Sequence, residues 1–129
     1  MMRDLRAEEA LKLLIAYVGR GHVRPEAIRV VRSSSGTKAC ARIWGVSRAV
    51  QVGLGIGPTY VVELIDRCFN VLGCHEKVET LIHELAHIPR TFSGYVRPHN
   101  RAFYEDLKAM AAAARKLPEE VVEEICSKL

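Results

Sequence analysis

An α+β domain is the architecture this chain predicts: an N-terminal helix, an antiparallel sheet of three to four strands, a helix carrying His-Glu-x-x-His, and C-terminal helices. Three observations lead there. Apolar residues recur at spacings of three and four in residues 4–18 and again from Glu76 onward. Between those stretches lie short β-branched or alternating runs bounded by Gly, Ser and Pro. The whole is 129 residues with no repeat, linker or low-complexity tract, so one domain over 1–129 is expected.

In residues 4–18, Leu5, Leu11, Leu14, Ile15 and Val18 share one face, and Gly19 and Gly21 follow as a stop signal. The period then shortens. Ile28–Val31, Ala39–Trp44 and Arg48–Leu54 read as strands of a meander, separated by Ser33–Gly36 and Gly45–Ser47. Thr59–Ile65 has strand composition and follows the break at Gly55-Ile56-Gly57-Pro58; its Tyr60–Ile65 part is expected to be an exposed edge. From Glu76 to Ile88 the apolar positions Val78, Leu81, Ile82, Leu85 and Ile88 return to helical spacing, and Pro89 ends that helix. A loop with Gly94 and Pro98 leads to a helix from His99 to about Ala114, with Phe103, Leu107 and Met110 on one face, and Pro118 opens a last helix ending near Ser127.

The chemistry concentrates in His83-Glu84-Leu85-Ala86-His87. Residues four apart lie one turn above each other on a helix, so both imidazoles can reach one ion. Glu84 follows the first of them directly and sits at the edge of that face, placed to take a proton from water beside the metal. A catalytic zinc site takes three protein ligands as a rule, so a third is required. His99 is the best candidate, because it ends a turning loop and begins a new helix; Glu105 and Asp106 are the runners-up. His22 and His75 read as solvated, and Phe103 and Trp44 as core. Tyr95, Arg97 and Tyr104 are available to stabilise an oxyanion. Glu63 and Asp66 are candidates to orient a ligating imidazole, or else belong to a solvated strand edge.

The run from His83 to His87, followed by His99-Asn100-Arg101-Ala102-Phe103-Tyr104-Glu105-Asp106-Leu107, resembles the SprT-like and Wss-like (WLM) zincins. Thr80 to Gly94 together with Arg97-Pro98-His99 is also similar to a group of small archaeal and phage metallopeptidases. The resemblance covers about residues 76–107. It implies a minimal zincin fold, Zn2+ on His83, His87 and His99, Glu84 as catalytic base, and peptide-bond hydrolysis. More than ten residues separate His87 from His99, which excludes the short metzincin spacing.

Composition bounds the rest. Hydrophobic residues make up 49% and charged residues 26%, the balance of a chain that packs a core. The charged N-terminus has no signal-peptide apolar region and no run suffices for a membrane span, so the expectation is a cytoplasmic protein without a membrane partner. Cys40, Cys68, Cys74 and Cys126 lack the spacing of a zinc ribbon and are expected to be reduced thiols. The net charge of +4 permits nucleic acid without specifying it. The leading functional expectation is a zinc metallopeptidase acting on an extended polypeptide added to an edge strand. A metal-dependent nuclease and a non-catalytic zinc-binding or nucleic-acid-associated module are the competing readings.

Overall fold

The computed structural model describes all residues, 1–129. In chain order the elements are β1 (Met2–Arg3), α1 (Leu5–Val18), a 3-10 turn (Pro25–Ala27), β2 (Ile28–Ser33), β3 (Ala41–Gly45), α2 (Arg48–Leu54), β4 (Tyr60–Ile65), α3 (Asp66–Phe69), α4 (Cys74–Leu85), α5 (Arg101–Arg115) and α6 (Glu119–Ser127). The α+β class, the N-terminal helix, a four-stranded sheet and the C-terminal helices are as expected. None of the helices is long and apolar enough to cross a membrane.

The sheet order is β1-β2-β4-β3. Here the meander expectation fails. β2 and β4 run parallel, with Ile28 opposite Tyr60 and Ser33 opposite Ile65, whereas β3 lies antiparallel to β4 with Ala41 opposite Leu64 and Gly45 opposite Tyr60. Parallel neighbours need a crossover, and the 34–59 segment supplies it. β4 is therefore an interior strand, not the exposed edge expected of Tyr60–Ile65. Its sequence agrees with that place: Tyr60, Val62 and Leu64 are wholly buried beside Ile28 and Val30, and even Glu63 on the opposite face is covered. The edge on this side is β3, where Trp44, expected in the core, is half exposed.

The third expected strand, residues 48–54, is the helix α2. Ser47 caps it by accepting a hydrogen bond from the Val50 amide, and Gly55 ends it in the left-handed conformation at φ 66°. The two caps outweigh the alternating, β-branched composition. Val50, Val52 and Leu54 are exposed, so the alternation that read as a buried strand face packs against nothing, and only Gln51 is buried.

α1 packs on β2, α5 and α6, while α4 packs on β3, α5 and α6, and the core fills the space between. α1 begins at Asp4, whose carboxylate accepts from the Ala7 amide at 2.9 Å. Phe103, read as core, is fully buried on α5. A side chain of that size contributes about 1.5–3 kcal/mol by leaving water.

The four cysteines are paired, which overturns the thiol expectation. Cys40, just before β3, joins Cys68 in α3, and Cys74, the first residue of α4, joins Cys126 in α6. Partners lie 28 and 52 residues apart in sequence with Cα atoms 4.7 and 5.7 Å apart, so it is the fold, not local spacing, that brings them together.

Candidate metal centre

α4 and the loop after it carry the site. α4 ends at Leu85, four residues before Pro89, with the Ala86 amide making its last helical bond, to the Ile82 carbonyl. His87 then sits in a tighter turn, its amide bonded to the Glu84 carbonyl at 3.1 Å. Proline accounts for the early stop, because it disfavours helical geometry in Ile88 and offers no amide to continue the ladder. His83 therefore stands on the last turn of the helix and His87 just beyond it, so the pair is close without both being helical.

The loop from residue 86 to residue 100 returns the chain to this point because it is anchored on the sheet. The Tyr60 hydroxyl, at the start of β4, accepts from the Gly94 amide at 2.9 Å and donates to the Tyr95 carbonyl at 2.9 Å. Phe92 packs edge-on against the Tyr60 ring at 4.9 Å. Gln51 of α2 donates to Val46 O at 2.8 Å and to Ser93 O at 2.9 Å, which explains why it alone is buried in that helix. Gly45 at the end of β3 faces Gly94 so closely that a Cβ on Gly45 would lie 1.9 Å from the Gly94 carbonyl oxygen. Gly94 itself adopts φ +94°, open to glycine alone without strain.

The chain then presents His99 immediately before Asn100, which caps α5 by accepting from the Phe103 amide at 2.9 Å. His83, His87 and His99 each offer a ring nitrogen, and the three lie within 4.8 Å of one another. His87 Nε2 and His99 Nε2 are 3.2 Å apart, close to the edge of about 3.3 Å expected of a tetrahedron with zinc–nitrogen bonds of ~2.0–2.1 Å. The His87 Nδ1–H donates to the Arg97 carbonyl at 2.7 Å, leaving Nε2 as the free lone pair. Phe103, one turn into α5, lies under all three rings, 5.2 Å from His83 and 4.6 Å from both His87 and His99. Burial, followed by the neighbouring imidazoles, holds His83 below its ordinary pKa; burial also lowers His87. Neutral imidazoles are the metal-binding form, and the set fits a divalent ion that prefers nitrogen donors.

Glu84 is buried, and burial pushes its carboxyl up to about 7. The two other acids considered as ligands are engaged elsewhere. Glu105 is exposed and pairs with Arg101 at 3.0 Å. Asp106 has no exposed surface and accepts from Arg97 Nη2, while Arg20 and Arg90 each approach it at 3.2 Å.

The Asp106 cluster was missed at the sequence level. Arg97, taken as a candidate oxyanion partner, is itself buried: its Nε donates to the Ala86 carbonyl at 2.8 Å and its own amide donates to the His87 carbonyl at 2.9 Å. Its side chain and both its backbone polar groups thus clamp the segment bearing His87. The available signal was Asp106 itself, a carboxylate on the same helical stripe as Phe103 and Met110, where a charge must be paired. His22 is half buried, with Nε2 3.2 Å from the Ile88 carbonyl oxygen, not free in solvent as expected. Glu63 accepts from Ser33 and Trp44, and Asp66 from Arg32, so neither orients an imidazole. Tyr95 and Tyr104 are both exposed, and Tyr104 stands 6.1 Å from the His99 ring.

A family model described as "Putative phage metallopeptidase" matches residues 1–129. That span takes in the sheet and the terminal helices as well as the 76–107 stretch that carries the sequence resemblance. No curated protein and no solved structure matches the chain.

Proposed function

The chain belongs to the phage metallopeptidase family, and from that premise we propose that it is a zinc-dependent peptidase in which His83, His87 and His99 hold the ion and Glu84 is the general base. The observation that carries this reading is the convergence of three imidazole nitrogens within 4.8 Å next to a buried carboxyl. Zinc, when bound, supplies Lewis acidity, withdrawing electron density from a carbonyl oxygen and acidifying water. The chain's own groups do the rest. A Glu84 carboxylate oxygen takes a proton from water as its oxygen adds to the peptide carbonyl carbon, then passes it to the departing amine nitrogen. A group whose pKa lies near 7 can both accept and return a proton at neutral pH. Arg97 keeps His87 in the tautomer that offers Nε2, and Phe103 supports the three rings from below.

The polypeptide substrate is assigned to β3 in place of the Tyr60–Ile65 edge. β3 is the outer strand of the sheet and packs against α4, so an extended chain added to it would run past the helix that carries Glu84. The nuclease and the non-catalytic module have no observation in their favour beyond the basic charge.

Elemental analysis of protein purified without added metal is expected to find about one zinc per chain. Glu84→Gln is expected to keep the metal and lose ~10²-fold or more in peptide hydrolysis. His99→Ala should weaken zinc binding by orders of magnitude, whereas Glu105→Ala should leave it nearly intact. A protein that takes up no zinc on titration, or a Glu84→Gln variant with wild-type turnover, ends the proposal.

A further inference from the structure

Beside Glu84 the structure holds a cavity of about 900 Å³ that the hydrolytic chemistry does not by itself require. It lies between α4, the second half of α5 and the start of α6, and is closed at one side by Cys40 and Ala41. His83 and Glu84 line it, while His87 and His99 do not, so it opens on one flank of the site only. Ten of its eighteen lining residues are apolar, which makes it a receptor for apolar surface. Leu72, Leu107, Ala111 and Ala114 stay part-exposed inside it, and Leu72, Leu107 and Ala114 also pack against the core.

Proton balance decides which part of a substrate faces this flank. In the hydrolysis the carbon–nitrogen bond breaks, the water oxygen stays on the carbonyl carbon, and the proton Glu84 has taken goes to the leaving nitrogen. That nitrogen must therefore come within hydrogen-bond reach of Glu84. The side chain of the residue it belongs to starts only two bonds away, about 2.5 Å, through the Cα. A cavity walled by Glu84 thus lies next to the amine-side residue.

Size and charge narrow the chemistry. The volume is at the upper end of the ~300–1,000 Å³ usual for ligand pockets, and two of the wall positions on α5 are alanines, which leaves room for a large side chain. Away from Glu84 the lining carries Glu76, Glu79 and Glu119 against the single cation Arg115. Glu79 and Glu76 precede His83 by one and two helical turns, so carboxylates follow the cavity along α4 and repel an acidic substrate residue.

Resting on the peptidase reading above, we infer that this cavity is the specificity pocket of the enzyme, and that its substrates are polypeptides with a large apolar side chain, such as Leu, Met or Phe, directly after the cleaved bond. Acidic residues at that position are excluded.

The zinc-loaded full chain is incubated with a proteome-derived peptide mixture, and the new N-termini are identified by mass spectrometry. Leu, Met and Phe are expected at those N-termini at least tenfold more often than Asp and Glu, relative to their abundance. Cleavage without that enrichment overturns the pocket and leaves the peptidase reading standing; the absence of any cleavage sinks the peptidase reading itself. Ala111→Phe, which fills the cavity from α5, is expected to shift the new N-termini towards Gly and Ala. An unchanged preference in a folded variant counts against the pocket. Binding gives a readout without turnover. Titration of the wild-type protein with Leu-Ala-amide should move the methyl resonances of Ala111 and Ala114, and Asp-Ala-amide should not. Equal responses to the two, or none to either, overturn the assignment.

Discussion

At the scale of single residues, the convergence of His83, His87 and His99 was legible in the sequence because it depends on short-range geometry. Four residues set one helical turn, and a Pro-His-Asn junction sets a helix start. The partners of Asp106 were not legible, because Arg20 reaches it across 86 positions and no local pattern announces such a pairing. Its cost and benefit are both large: burying a carboxylate raises its pKa, yet hydrogen bonds from Arg97 and Arg90 outweigh burial and hold Asp106 below the usual carboxylate range. Removing one partner of such a buried pair costs ~3–5 kcal/mol because the other is left uncompensated. A milder change isolates the effect on the metal. Arg97→Lys keeps the charge, but a single ammonium cannot reproduce the planar fork that holds both Ala86 O and Asp106. The expected result is a folded protein by circular dichroism whose zinc affinity, read by competition with a chelator, falls by ~10–100-fold.

At the scale of elements, four helices were read correctly, and α2 and the crossover were not. α1, α4, α5 and α6 carry their own apolar period and end signals, so their existence follows from residues close in sequence. Residues 48–54 carry a strand-like alternation, and what overrides it is a pair of caps at Ser47 and Gly55 acting on a surface helix with nothing to bury. The parallel pairing of β2 with β4 was equally out of reach, since composition does not distinguish an interior strand from an exposed one of the same residues. The same region fixes the loop that delivers His99, and Gly45 is its tightest point. Gly45→Ala places a methyl group against backbone that cannot rotate away, so β3 and the loop must separate. Overpacking of this kind costs ~1–3 kcal/mol. Urea unfolding should show a loss in that range, accompanied by weaker zinc binding as His99 shifts. Unchanged stability would mean that the loop is not seated on β3 as described.

For the molecule as a whole, two covalent links that the sequence did not announce tie α3 to the approach of β3 and α4 to α6. In a chain-entropy account, closing loops of 28 and 52 residues stabilises the fold by about 3.5–4 kcal/mol each. Reduction with a phosphine is therefore expected to lower the melting temperature well beyond 10 °C, and an unchanged melting curve would show that the links contribute nothing. Acid should also unfold the protein. Glu8 is held below the usual carboxylate range by the Arg3 hydrogen bond, and Glu63 by its bond from Ser33. Asp4 is depressed too, since the Ala7 amide and Arg32 outweigh burial. In each case the unfolded chain binds protons more readily than the fold, so this stability is complete above the ordinary carboxylate pKa near ~4 and is lost as pH falls below it. Burial holds His22 below its ordinary value, which lowers stability as pH falls below ~6.5, while the raised Glu84 carboxyl takes up its proton in the fold first and acts in the opposite direction over the same range. Melting temperature followed from pH 8 to pH 2 should show the fall below ~4. The anchoring of the 86–100 loop has one more consequence, in the timing of assembly. His83 and His87 come together as soon as a helix turns, but His99 joins them only when Tyr60, Gly45 and Gln51, 34 to 49 residues away from Gly94 and its neighbours, have found their places. A nascent chain with a formed helix and an unfinished sheet offers an ion two nitrogens, and a completed one offers three. With the ion held as proposed, firm retention of metal distinguishes finished molecules from unfinished ones, and hydrolytic capacity comes last, after the structure that restrains it.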